Sequence, residues 1–186
     1  MQEFCAIVTF ARCSVATGRC AELYLFGSVG GAMFRVDAEG VRDYFAFDPS
    51  RKADLRKLDA LIQAAAPNLK RYFHRGTPAG EPGMRFKMIG YGKVLYRTKL
   101  GQAVEWPVIG VALQKNYISV YFAVRRNGSA VTQRYAGRLG ELRMGRNNFC
   151  FEKFDDLDTV ATAMLIAEAA RLFEGDPENP IRRMQG

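Results

Sequence analysis

Residues 93–124 read KVLYRTKLGQAVEWPVIGVALQKNYISVYFAV, and this stretch decides the fold. Apolar and polar residues alternate over 93–100, with Leu95 as the exception, and again over 117–124. This pattern is typical of strands with one face in water. Between them, residues 105–113 are rich in branched side chains, which favour strands. Linkers of four and three residues join the three segments. Parallel neighbours need far longer crossovers, so the pattern predicts antiparallel pairing.

Pro107 and a glycine pair add detail to these strands. Proline lacks an N–H to donate, so Pro107 places its strand at a sheet edge or makes the strand begin after itself. Upstream, residues 84–89 form a further candidate strand. Gly90-Tyr91-Gly92 separates it from the next strand and is interpreted as a tight turn or bulge.

Helices are predicted on both sides of the strands. Asp37 is a candidate cap for a short first helix, and Asp48 with Pro49 is a clearer start signal for a second. The second helix ends before Pro67. Its apolar residues recur at three- and four-residue spacing and are Leu55, Leu58, Leu61, Ile62 and Ala65. Asp155 is the candidate cap of the last helix. Its predicted buried stripe consists of Leu157, Val160, Ala161, Met164, Leu165 and Leu172.

The pattern as a whole predicts an α+β domain. We expect a single, mainly antiparallel sheet of about five strands, packed with N-terminal and C-terminal helices. The domain is placed at 35–174, followed by a loose tail over 175–186. Residues 1–34 are set apart as an atypical extension.

Residues 1–34 differ in composition from the body. They hold three of the four cysteines and four charged residues, against 42 in the remaining 152. Two interpretations stay open. The segment contributes short strands, or the native start is Met33 and the segment is an upstream translation.

The formal net charge of +8 favours an anionic partner such as nucleic acid or phosphate. The plainer alternative is a solvated basic surface. No apolar run is long enough for a transmembrane helix, and the N-terminus lacks the basic segment of a secretory signal. We therefore expect a cytoplasmic protein with reduced thiols and no membrane contact.

Catalytic and metal-binding patterns are scarce. His74 is the only histidine, and the four cysteines contain no C-x2-C pair, which disfavours a structural zinc site. The sequence has no G-x-S-x-G elbow, and Gly27-Ser28-Val29-Gly30-Gly31 lacks the lysine of a phosphate-binding loop. We expect no enzyme activity and no cofactor.

Basic residues interleaved with aromatics form the best candidate binding site. Such a surface suits single-stranded nucleic acid or an anionic ligand, because bases stack on rings and phosphates pair with cations. The alternative is a wet sheet face whose charges only protect the strands. The basic series is Arg85, Lys87, Lys93, Arg97 and Lys99, and the aromatic residues are Tyr91, Trp106, Tyr117 and Tyr121.

The order of several short segments carries a family resemblance. These segments are Ala65-Ala66-Pro67, Ile89-Gly90-Tyr91-Gly92, 108–113, 117–121, Gly140 with Gly145, and 154–158. Across about 37–173 the chain resembles the YdhG-like family, a cytoplasmic bacterial domain of unknown function. The resemblance implies a compact α+β domain, and one branch of the family is described as a frataxin-like iron chaperone.

The iron role would require clustered carboxylates. The best set that the resemblance points to here is Glu152, Asp156 and Asp158, beside Asp155. The expected function is therefore a non-enzymatic binding domain of unassigned ligand, present as a monomer or weak dimer. The alternatives are an iron-binding chaperone, and a binder of an anionic ligand or nucleic acid through the basic-aromatic face.

Overall fold

The structure, a computed structural model, describes residues 34–98 and 100–175, with only the backbone of Tyr96 and Arg97. All of these residues belong to the unit Met33–Gly186. The predicted extension and tail therefore lie outside the described residues, except for Phe34 and Gly175.

Six strands form one antiparallel sheet, which confirms the α+β prediction with one strand more than expected. Their order is β1-β2-β3-β4-β8-β7. The strands are β1 (Arg71–His74), β2 (Met88–Arg97), β3 (Ala103–Leu113), β4 (Ile118–Phe122), β7 (Arg143–Met144) and β8 (Asn148–Phe151). A separate small hairpin is made by β5 (Arg125–Arg126) and β6 (Ser129–Ala130).

Three α-helices accompany the sheet: α1 (Val41–Ala46), α2 (Lys52–Ala65) and α3 (Thr159–Gly175). Two 3₁₀ turns lie at Val131–Tyr135 and Phe154–Asp156. None of the helices in the described part of the chain is long and apolar enough to span a membrane.

The helices cover one face of the sheet. Leu55, Leu58 and Ile62 of α2 are fully buried there, together with residues of α3 and alternate residues of the central strands. Successive strand residues point to opposite faces. A second, smaller apolar cluster of Met84, Met88 and Ala112 therefore lies on the other face. The chain that precedes β2 supplies Met84 and covers this cluster.

All three predicted helix starts lie too early in the sequence, and the N-cap of α1 is Gly40 rather than Asp37. Asp48 caps a turn ahead of α2, where its carboxylate accepts hydrogen bonds from the Ser50 N–H at 3.0 Å and the Arg51 side chain at 2.6 Å. At α3 the cap is Asp158, whose carboxylate accepts from the Ala161 N–H at 2.8 Å. Asp155 lies in the preceding 3₁₀ turn.

The predicted buried stripe of α3 is wrong at two positions. Val160 is 70% exposed and Met164 is 49% exposed, whereas Thr162 and Glu168 are buried. Glu168 is a poor candidate for a core position by residue type. Its burial is possible because three side chains satisfy its carboxylate.

The Gly90-Tyr91-Gly92 segment is not a turn between strands but part of β2. Gly90 pairs with Gly110 of β3, and a Cβ at Gly90 would lie 2.6 Å from the Tyr72 ring. Gly92 has φ +65°, and a Cβ there would lie 2.9 Å from a Leu69 methyl. The glycines therefore let side chains from outside β2 pack closely against this strand.

Pro107 lies in the interior of β3, at a level where only one neighbouring strand pairs with it. It pairs with Lys93 of β2, whereas β4 pairs with β3 only over Ile109–Leu113. At Pro107, the side of β3 that faces away from β2 has no strand partner among the described residues. The Val108 carbonyl accepts from the Ala123 N–H at 2.9 Å on that side, so the neighbouring Pro107 nitrogen faces β2, and its pair with Lys93 lacks the bond that an N–H would donate.

Candidate functional site

The predicted basic-aromatic face is divided by the fold, and Tyr91 belongs to the core. Its side chain is 1% exposed, and its hydroxyl donates to Asp59 at 2.7 Å. Burial and the bond to this carboxylate together raise the pKa of Tyr91 far above its ordinary value. Tyr91 is thus a neutral structural donor rather than a surface group.

Lys93 is exposed but already has partners. Its ammonium lies 2.9 Å from the Glu105 carboxylate and 4.4 Å from the centre of the Tyr72 ring. Arg97 is placed in β2 by its backbone, and Lys99 lies outside the described residues. In the described part of β2, the charge of Lys93 is thus compensated by Glu105.

The three remaining aromatic residues have separate surroundings. Trp106 is half-buried and packs against both apolar clusters. The Arg143 guanidinium lies 4.9 Å from the centre of the Tyr117 ring. Tyr121 stacks on Phe86 with ring centres 6.3 Å apart and planes 27° apart. Of the three, only Tyr121 therefore supports the second site described below.

The carboxylates considered for iron already contact nearby protein groups. Asp156 accepts from the Lys153 N–H at 2.8 Å, and Asp158 caps α3. Glu152 lies 3.9 Å from an Arg143 nitrogen. Among the residues that the structure describes, no three His, Cys, Asp or Glu side chains are grouped closely enough to hold a metal ion.

A second site, the cationic cleft, lies between the segment 34–37 and the loop 75–87. The cleft has a volume of about 510 Å³. The described side chains that line it include four cations, one carboxylate and two aromatic rings. They are Arg35, Arg75, Arg85, Lys87, Asp37, Phe34 and Phe86.

The loop 75–87 folds back on itself and brings Arg75 and Arg85, which lie on its two stems, to the cationic cleft. The Thr77 N–H donates to the Met84 carbonyl at 2.7 Å, and the buried His74 has Nε2 at 3.2 Å from the same oxygen. Gly76 has φ +81°, and a Cβ there would lie 2.5 Å from the Arg85 carbonyl oxygen. A glycine is therefore required where the two stems of the loop meet.

The segment 34–37 is held against the loop by charge and burial. Lys87 donates to the Ala38 carbonyl at 2.8 Å and lies 3.2 Å from a Glu39 carboxylate oxygen. Arg75 approaches the same carboxylate at 3.9 Å. Val36 is buried between the exposed Arg35 and Asp37. This alternation directs the polar side chains of the segment outward.

The electrostatics of the cleft favour anions. Asp37 is the single carboxylate among the described residues that line it. Arg35 and Arg85 are exposed and make no ion pair within the described part of the chain. An unpaired guanidinium presents several N–H donors in one plane, a geometry that matches carboxylate and phosphate.

Each aromatic ring of the cationic cleft packs against a second ring. Phe34 meets Phe47 edge-on with ring centres 6.0 Å apart, and Phe86 stacks on Tyr121. Burial raises the pKa of Tyr121 to about 12, so its hydroxyl is neutral under physiological conditions. The Phe86 ring therefore has a fixed orientation and an uncharged neighbour.

Sequence reasoning found only part of this site. The sequence pattern groups Arg85 and Lys87 with the strand residues that follow them, and it does not distinguish Arg35, Arg75 or Phe86 from other surface residues. The usable signal was the glycine- and proline-rich stretch 76–83 with an arginine on each side. Comparison of the chain with protein-family models, curated proteins and solved structures found no match.

Proposed function

We propose that this protein is a non-enzymatic binding domain that holds a small anionic ligand in the cationic cleft. The single observation that carries the proposal is the convergence of Arg35, Arg75, Arg85 and Lys87 on one concave surface. The volume of about 510 Å³ falls within the usual range of roughly 300–1,000 Å³ for small-molecule sites. Oxyanions of phosphate or carboxylate chemistry fit this donor set.

Two further features support a binding role over catalysis. His74 is buried, and its Nε2 faces the Met84 carbonyl within the loop, so the only histidine of the sequence helps shape the loop. The cations on the cleft wall offer N–H donors that bind and orient an anion. The proposed ligand requires no metal or cofactor.

Membership of the YdhG-like family is part of the proposal. It is supported by the order of segments in the sequence and is compatible with the antiparallel α+β fold. Iron delivery is not favoured, because Asp156 and Asp158 are already engaged with backbone N–H groups. Nucleic-acid binding along β2 is not favoured either, because Lys93 is neutralised by Glu105.

Titration calorimetry with pyrophosphate tests the proposal. We expect saturable binding in about 50 mM salt that weakens steeply as salt rises, because exposed charges are screened. Arg75→Ala combined with Arg85→Ala should weaken binding more than tenfold, or about 1.4 kcal/mol. Both side chains are exposed, so the melting temperature should barely change.

The matched control is Lys70→Ala combined with Arg171→Ala. Both residues are exposed and lie outside the cleft, and the pair removes the same charge. The control should bind pyrophosphate nearly as well as the wild type. Equal losses in the two double variants would show diffuse attraction to a basic surface and would contradict a defined site.

A further inference from the structure

We infer that the anion is the phosphate end of a nucleotide, with its base on Phe86 and its ribose on Asp37. The inference rests on the proposed function and names the ligand class of the same cleft. An inorganic anion needs cations alone. The cleft also contains two aromatic rings and one carboxylate, which an inorganic anion would not need.

The phosphate end is marked by Arg75 and Lys87, two lining cations that share one carboxylate from outside the cleft lining. Arg75 and Lys87 both approach the Glu39 carboxylate, at 3.9 and 3.2 Å. The Glu39 side chain is 71% exposed, so it can swing into water at little cost when a stronger anion arrives. A phosphate group carries more charge and more acceptor oxygens than a carboxylate and would replace it.

The base end is marked by Phe86. Its ring lines the cleft and is held by stacking on Tyr121. Nucleobases stack on aromatic side chains whatever their identity, and a ring that is already ordered loses little entropy on binding. Phe34, on the opposite segment of the cleft, adds a second apolar surface. The aromatic residues thus match a flat ligand group that an inorganic anion lacks.

The ribose position is marked by Asp37. A carboxylate repels phosphate, so Asp37 would only weaken a site built for inorganic anions. A carboxylate is an acceptor and requires donors from the ligand. The two hydroxyls of ribose provide such donors next to the phosphate chain. Asp37 is exposed at the cleft and makes no ion pair within the described part of the chain, so it is available for them.

A free nucleotide fits better than a nucleic-acid strand. Strand-binding surfaces are extended grooves with successive stacking rings along a basic track. Here the cations and rings surround one concavity of about 510 Å³. The basic track expected along β2 is interrupted by the ion pair between Lys93 and Glu105.

Calorimetric titration with ATP, 2′,3′-dideoxy-ATP and inorganic triphosphate tests the inference on the full chain. We expect ATP to bind at least tenfold more tightly than triphosphate, and dideoxy-ATP to bind several-fold more weakly than ATP. Phe86→Leu should reduce ATP affinity to nearly that of triphosphate while leaving triphosphate affinity unchanged. The unchanged triphosphate affinity is the internal control for folding.

Two variants with intact rings separate the remaining roles. Glu39→Gln should strengthen binding of both ATP and triphosphate, because it removes the competing carboxylate. Asp37→Asn should abolish the preference for ATP over dideoxy-ATP. Neither residue is buried, so both variants should fold.

The outcomes separate the inference from the proposed function. Equal affinities for ATP and triphosphate would overturn the nucleotide inference and leave anion binding intact. No saturable binding of any of the three would overturn both. Tighter binding of a ten-residue oligothymidylate than of ATP would also overturn the inference, in favour of a nucleic-acid strand.

Discussion

Glu168 shows how a buried charge is accommodated in this fold. Its carboxylate accepts hydrogen bonds from Arg126 at 2.6 Å, from the Tyr135 hydroxyl at 2.7 Å and from Arg134. Burial alone would raise the pKa of Glu168, but the bonds from Arg126 and Tyr135 and the charge of Arg134 lower it below its ordinary value of 4.5. This cluster joins α3 to the 3₁₀ turn Val131–Tyr135 and to β5.

The cluster predicts a pH-dependent loss of stability. A carboxyl whose pKa is lowered by folding stabilises the protein above its unfolded pKa, and this stabilisation is lost as pH falls through the folded value. Glu168→Gln should lower the free energy of unfolding by about 2 kcal/mol at pH 7. The difference from wild type should shrink below pH 4.5, measured by urea unfolding. A difference that stays constant down to pH 3 would show that the charge of Glu168 does not matter.

Residue-level patterns predicted buried residues of α2 correctly but failed at two positions of α3. The leucine spacing of α2 correctly predicted the buried Leu55, Leu58 and Ile62, because apolar burial follows helical periodicity. The same rule failed at Val160 and Met164, because alanines and a compensated glutamate fill that face of α3 instead. Residue type alone does not show that Arg126, Arg134 and Tyr135 surround Glu168.

At the scale of elements, strand periodicity predicted an antiparallel sheet but not the location of the candidate site. The alternation in β4 and the short linkers correctly predicted antiparallel pairing. The basic residues near β2 were grouped because they are close in sequence. The cleft instead combines residue 35 with residues 75 and 85, which the folding of the loop brings together.

The loop 75–87 provides a paired test of this positioning. Gly76 and Gly80 both have positive φ, but a Cβ at Gly76 would lie 2.5 Å from the Arg85 carbonyl oxygen, whereas one at Gly80 meets nothing within 4 Å. Each alanine substitution carries backbone strain of about 1 kcal/mol. Only Gly76→Ala also pushes the two stems of the loop apart.

We therefore expect different effects on binding from the two alanine variants. Gly76→Ala should weaken pyrophosphate binding more than tenfold, and Gly80→Ala less than threefold, because only the former displaces Arg85 from Arg75. Calorimetry gives the affinities, and thermal melts should show that both variants fold. Similar affinities in the two variants would argue against the loop as the element that positions the cleft.

At the scale of the whole molecule, two acidic residues of the described part are buried beside cations, and other cations remain at the surface. Asp59 is buried with Tyr91 and Arg71, and Glu168 is buried with its arginines. Arg35, Arg75 and Arg85 remain exposed around one cleft. The net charge of +8 is thus consistent with a local anion site as well as with a solvated basic surface. The domain boundary near residue 34 stays a prediction.

Chemical-shift mapping by NMR during a pyrophosphate titration tests the central claim most directly. Backbone amide signals report where a ligand binds without any substitution. The account predicts the largest shifts in two segments distant in sequence, 34–37 and 75–87, saturating together with one dissociation constant. Shifts centred on Lys93 and Tyr117, or small shifts spread evenly over the surface without saturation, would contradict it.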